Sequence, residues 1–283
     1  MVRELASPPF PVDGSVSQLA DWAELEVLQS GKPMSRGKVA TTLQRELGNA
    51  GQSAAADVWA ELQYRGKLFA DRWVLAAGDD QLVMSALGKK QGKRLLYYFL
   101  CALSLGEDIE SGGRVLFELF VTNVSNVLTN NEVLRIGHPA VDPMPSSFCD
   151  RVDMYAKRSK ENLLRSPPVT DKDMGTDIAS WLEFRDSREG SLHFLGQCAT
   201  GKNWDSKLED LRVAWWRDHI NWAVEPVRFF AIPHVVDRGR WRRVSQAAGL
   251  VLDRPRLIAL ASQSCWKPKM VRDIRDYCAT LYL

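Results

Sequence analysis

The feature that most narrows the fold is a pair of strand-like runs, 176–184 and 192–199, joined by a charged turn from Arg185 to Gly190. Their length and the tight turn between them predict two antiparallel strands rather than helix. Helical runs precede them: an apolar one at Leu95–Leu105, a second at Arg114–Leu128, and an amphipathic one near Phe148–Leu164 inside the proline-rich connection 137–170. A strand is expected at Glu132–Ile136, before that connection. After the pair come a helix from Trp204 to Trp222, strands at Val227–Ile232 and Leu250–Leu252, and a helix capped by Asp253. Strands interleaved with helices in this order predict an α/β domain, a mixed sheet flanked by helices.

The first part of the chain has another rhythm. Ser15–Gln29 carries Val16, Leu19, Ala20, Ala23 and Val27 at helical spacing and is closed by Gly31. Ser35 opens a second helix through Leu47. Ser53 caps a third, with Ala56, Val58, Trp59 and Leu62 inward and Gly66 as its stop. The runs Arg72–Ala76 and Gln81–Ser85 flank Gly78-Asp79-Asp80, a hairpin signal. Three helices and a hairpin in this order resemble a winged helix in architecture, which implies a small α+β domain over residues 1–87. A basic stretch, Lys89-Lys90-Gln91-Gly92-Lys93-Arg94, marks the junction to a second domain over 88–283. A winged helix commonly reads DNA with its third helix. Here Ala54–Tyr64 lacks cations until Arg65 and Lys67, so DNA contact and partner docking both stay open.

Composition excludes several classes. With 45% hydrophobic and 25% charged residues in 283, each domain can bury a core. The five cysteines are scattered and odd in number, with no Cys/His cluster at zinc spacing, which predicts a reducing, cytoplasmic setting. Met1–Val12 has no apolar signal core, and Leu95–Leu105 is too short to span a bilayer, so no membrane partner is expected. No phosphate-binding glycine loop predicts a nucleotide cofactor. The histidines show no metal spacing; His193 reads as structural. The net charge of +2 hides an asymmetry: Val236–Arg275 holds ten Lys/Arg against three Asp/Glu. Within it Arg238, Arg240, Arg242 and Arg243 surround Trp241, as phosphate-tracking surfaces do, and are candidate DNA-binding residues.

The chemistry-bearing stretch is Gly175-Thr176-Asp177, then Gly196-Gln197-Cys198-Ala199-Thr200-Gly201-Lys202 on the next strand. An acid opening one strand and a polar residue on its antiparallel neighbour can converge. Oxygen donors placed there suit a hard cation such as Mg²⁺.

These residues resemble the PD-(D/E)xK nuclease superfamily, its restriction-endonuclease-like branch. Asp177 matches the metal-binding acid, Gln197 the Glu/Gln position, and Cys198 the intervening residue whose backbone carbonyl ligates metal. Glu118, in Phe117-Glu118-Leu119 on an otherwise apolar helix, matches the additional helix acid. The resemblance covers about residues 111 to 260. It implies an αβββαβ core and an Mg²⁺- (or Mn²⁺-) dependent endonuclease acting on DNA, in a bacterial defence or restriction setting. It also implies a protein partner in a multi-component defence system. The expected metal ligands are Glu118, Asp177 and Cys198, with Asp177 and Gln197 in the catalytic set. One position departs: Ala199 stands where the family has lysine, so Lys202 or Lys207 is expected to supply the charge. The alternative is a catalytically silent module that binds DNA or a partner protein.

Overall fold

Residues 8–106, 112–129, 133–168, 173–182, 184, 186–263 and 267–281 are described by the computed structural model. Of the expected features, the first seven residues, Glu132, residues 169–170, Glu183, Arg185 and Cys265 lie outside them.

Helix α1 (Val16–Ser30) starts at a capping box, in which the Ser15 hydroxyl accepts from Gln18 N and the Gln18 side chain accepts from Ser15 N; Gly31, at φ 69°, ends it. A short strand β1 (Met34–Ser35), not expected from the sequence, leads into α2 (Arg36–Leu47), capped by the Ser35 hydroxyl. Helix α3 (Asn49–Phe69) is longer than expected at both ends. Ser53 does not cap it but donates back to the Ala50 carbonyl at 2.9 Å. Gly66 does not stop it, because the helix continues until Phe69 is buried. Strands β2 (Leu75–Ala77) and β3 (Gln81–Met84) form the hairpin, and β1 joins it on the other side of β3. Helix α4 (Gln91–Ser104) follows.

Helix α5 (Gly113–Thr129) precedes β4 (Val133–Arg135), α6 (Phe148–Ser159) and the short β5 (Asn162–Leu163). Then come β6 (Ile178–Leu182) and β7 (Leu192–Cys198), the expected antiparallel pair, with Ser180 opposite Phe194. The single helix expected from Trp204 to Trp222 is absent. In its place are a 3₁₀ turn at Trp204–Lys207, α7 (Val213–Arg217) and β8 (Ile220–Asn221). Tertiary contacts override the helical period there: Arg212 N donates to Met174 O, and β8 pairs with β5. The chain continues through β9 (Val227–Ala231), α8 (Trp241–Ala248), β10 (Leu250–Leu252) and α9 (Arg254–Gln263). It ends in α10 (Pro268–Thr280), a helix with proline in its first turn that was not foreseen from the sequence.

The chain divides into two units. One gathers Met1–Gly113, Pro233–Asp237 and Lys267–Leu283; the other gathers Arg114–Ile232 and Arg238–Trp266. The first unit therefore extends past the expected boundary at 87/88. Helix α4 belongs to it because Tyr97 and Ser104 bond to Glu24 and Asp21 of α1. Helix α10 returns to it, with Tyr277 edge-on to Phe99 at 5.6 Å between ring centroids. Inside this unit Arg65 is fully buried, paired with Asp21 at 2.5 Å, Glu24 at 3.0 Å and Glu61 at 2.9 Å.

The second unit is α/β, with a five-stranded mixed sheet in the order β10-β9-β7-β6-β4. Strand β6 pairs antiparallel with both β4 and β7; β9 joins β7 in parallel and β10 joins β9 in parallel. One sheet face, bearing Leu134, Ile136, Ala179, Trp181 and Leu195, packs against Phe148, Val152 and Tyr155 of α6. Among the described residues no helix is long and apolar enough to cross a membrane.

Candidate functional site

Strand β6 is reached through Gly175, at φ 73°, where a Cβ would lie 2.8 Å from the Asp210 carbonyl. Glycine is required at that turn, and it delivers Asp177 to the strand end. There the ladder slips. Ile178 is opposite Gly196, yet Asp177 N also donates to Gly196 O, at 2.8 Å. Two residues facing one is the arrangement of a β-bulge, which re-aims a side chain at a strand end. The Asp177 carbonyl accepts from Ile136 N and Gly137 N, and its Oδ2 accepts from Cys198 N at 2.7 Å. The ends of β4 and β7 thus hold the acid that leads into β6.

Glu118 comes from α5 and is fully buried. Its Oε1 accepts from Arg114 Nε, one turn back, at 3.0 Å. Its Oε2 lies 2.6 Å from Arg135 Nη2, an ion pair without hydrogen-bond geometry. Arg135 is itself buried and donates to the carbonyls of Gly137 and Pro139. The two acids close on one point: a Cβ at Gly137 would stand 2.7 Å from Asp177 Oδ1 and 3.1 Å from Glu118 Oε2. Gly137→Ala is therefore expected to destabilise the protein by about 1–3 kcal/mol, as overpacking does. Urea denaturation of the two proteins measures it, and an unchanged midpoint would show that the acids do not crowd that point.

Burial raises the Asp177 carboxyl to about 8, with the neighbouring Glu118 charge adding to the effect and the Cys198 N–H opposing it. Burial also raises Glu118, more than Arg135 and Arg114 lower it. Two buried carboxyls that resist ionisation side by side are the electrostatic signature of a place suited to a cation.

The structure brings Asp177, Glu118 and the Cys198 backbone together. It sends the Gln197 side chain elsewhere. Along β7, Gln197 shares a face with Leu195, on the α6 side, while Gly196 and Cys198 face the α5 side. Gln197 Oε1 is buried there without a hydrogen-bond partner. The Cys198 thiol is held well above its usual range by burial and then by Asp177. Lys202 is exposed in the turn after β7, and Lys207 is part-buried at the end of the 3₁₀ turn. Among the described residues neither pairs with Asp177; the cation beside that acid is Arg114, 4.0 Å away.

Arg240 pairs with Asp205 at 2.7 Å and lies over the Trp204 ring at 5.4 Å. Arg238 is exposed before α8, and Arg242 and Arg243 are exposed on its first turn. His193 is structural, as expected: its Nε2 meets Glu161 at 2.9 Å and its Nδ1 meets Tyr155 at 2.6 Å, all buried.

Sequence reasoning missed Arg114, Arg135 and Gly137. Arg114 was legible as the residue one helical turn before a buried acid. Arg135, inside the apolar run Val133–Ile136, needed a partner for its charge, and Glu118 was the unpaired candidate.

A second group could hold a metal on proximity alone. Ligating atoms of Asp21, Glu24 and Cys101 lie within 4.8 Å of one another, all buried. Arg65 already supplies the positive charge there. Comparison of the chain with family models, with curated proteins and with solved structures gives no match.

Proposed function

We propose that the chain is a divalent-metal-dependent endonuclease acting on DNA, with a core resembling the PD-(D/E)xK superfamily. The observation that carries this reading is the meeting of Asp177 and Glu118 at Gly137. It occurs where the antiparallel strands β4, β6 and β7 are joined by the parallel β9. With α6 and the short β5 and β8 set aside as insertions, the order α5-β4-β6-β7-α7-β9 supports the αβββαβ assignment. In the first unit, the order α1-β1-α2-α3-β2-β3 with the sheet β1-β3-β2 supports the winged-helix assignment. The tip of that hairpin is Gly78-Asp79-Asp80, which suits a protein partner better than a phosphate backbone.

The donor set fits Mg²⁺ or Mn²⁺: two buried carboxyl groups supply hard oxygen ligands. Asp177 and Glu118 would hold the ion, with the Cys198 carbonyl at the same strand end. Such an ion, when bound, activates water and stabilises charge on a phosphodiester. The chain's own residues prepare the place. Cys198 N–H orients Asp177, Arg135 orients Glu118, and Gly137 keeps the gap between them open. Arg238, Arg240, Arg242 and Arg243 would meet the DNA backbone, fixing position rather than sequence.

The second reading, a silent nuclease-derived module, is favoured by Ala199 and by the arginines that already pair with both acids. Plasmid DNA separates the two. The enzyme should nick or linearise it with Mg²⁺ or Mn²⁺ and stop on addition of EDTA. Intact plasmid under every metal, with retained duplex binding, would leave the silent module.

A further inference from the structure

The site lacks a positive charge from β7. On the side of the strand that faces Asp177 it offers Gly196 and Cys198, and Ala199 follows. Two arginines share Glu118 instead, and they are not equivalent. Arg135 is buried and committed, bound to Glu118 Oε2 and to the Gly137 and Pro139 carbonyls. Arg114 is half-exposed, with its side chain 47% accessible, anchored through Nε to Glu118 Oε1. Its Nη2 stands 4.0 Å from Asp177 Oδ1. Because Arg135 answers the Glu118 charge from within, Arg114 can leave its acid without stranding a buried carboxylate.

We propose that Arg114 is the phosphate-binding cation of this site, its guanidinium taking the place of the absent strand lysine against the DNA phosphate that is cut. The proposal rests on the nuclease reading for the cutting and on the geometry alone for the phosphate contact. A planar guanidinium matches two phosphate oxygens at once, and it stays protonated throughout, so it stabilises charge and moves no proton. In the free protein Arg114 holds the acids' charge in check. With a divalent ion held by the two carboxyls, Arg114 would be free to leave them and meet the phosphate.

The test uses the full chain with Arg114→Ala and Arg114→Lys. It measures single-turnover plasmid cleavage in Mg²⁺, affinity for a labelled duplex in Ca²⁺ across a salt series, and Mn²⁺ binding by calorimetry without DNA. Arg114→Ala should cut ~10²–10³-fold more slowly, as loss of a transition-state charge donor does. Its salt slope for duplex binding should fall by about one, and Mn²⁺ should bind at least as tightly as to the unmutated chain. Arg114→Lys should recover most of the duplex affinity and part of the rate. A merely structural arginine would lower thermal stability without moving the salt slope, and that outcome overturns the proposal. So does an Arg114→Ala that cuts normally while Lys202→Ala or Lys207→Ala does not, with the nuclease reading intact. If no protein cuts but Arg114→Ala still loses one unit of salt slope, the phosphate contact stands and the nuclease reading falls. If neither rate nor slope responds, both fall.

Discussion

Asp177→Ala is expected to lower cleavage by ~10³-fold or more while duplex affinity in Ca²⁺-free buffer stays nearly unchanged. The residue is held from two strand ends, by Gly196 and Cys198 of β7 on its N–H and its Oδ2 and by Ile136 and Gly137 after β4 on its carbonyl. No neighbouring side chain can take its position. Among the described residues Glu118 meets it at Gly137, with both of its oxygens already facing arginines, while Asp173 acts on it only through its charge. Without Asp177, Glu118 alone offers too little charge to hold a divalent ion against Arg114 and Arg135. Phosphate contacts come from arginines rather than from Asp177 itself, so binding should persist. The measurement is cleavage rate beside fluorescence anisotropy on one duplex. A variant that cuts at the unmutated rate would move the site away from Asp177 altogether.

Arg65→Ala is expected to cost about 3–5 kcal/mol of stability, enough to leave the first unit unfolded or partly unfolded. Asp21 and Glu24 lie on α1 with essentially no exposure, and the guanidinium is the cation between them. Ser104 and Tyr97 donate to the same acids, but neutral donors cannot answer two buried charges. Arg65→Lys should recover part of the loss only, since an ammonium cannot reach Asp21, Glu24, Glu61 and Ser17 together. Urea denaturation followed by circular dichroism gives the comparison. An Arg65→Ala protein as stable as its parent would mean that the two acids are neutral in the folded state.

The antiparallel pair β6–β7 and the position of Asp177 were legible because period-two alternation and Gly-x-Asp are local signals. Glu118 was legible too, as a charge with no excuse for sitting on an apolar helix. Gln197 was misleading. The same alternation that predicts its strand also fixes its face. The bulge at Asp177 flips that acid alone to the α5 side, and a one-residue slip of this kind leaves no mark in composition or spacing. The stretch 204–222 failed for a related reason: its tryptophans follow a helical period, but Arg212 is drawn to the Met174 carbonyl and Ile220 to Leu163. Helix α10 was hidden by charges of both signs interspersed among its few apolar residues.

The discontinuous first unit also has a consequence in time. Its first helices leave the ribosome before the second unit, yet α10, whose Tyr277 packs on Phe99 of α4, is made after it. At ~5–20 residues per second, the intervening sequence takes on the order of ten seconds or more to synthesise. For that interval α4 waits with an apolar face uncovered, a natural client surface for a chaperone. The second unit, whose strands are all contained between Val133 and Leu252, can close before the first is complete. Folding order in this chain therefore runs against the order of its domains along the message.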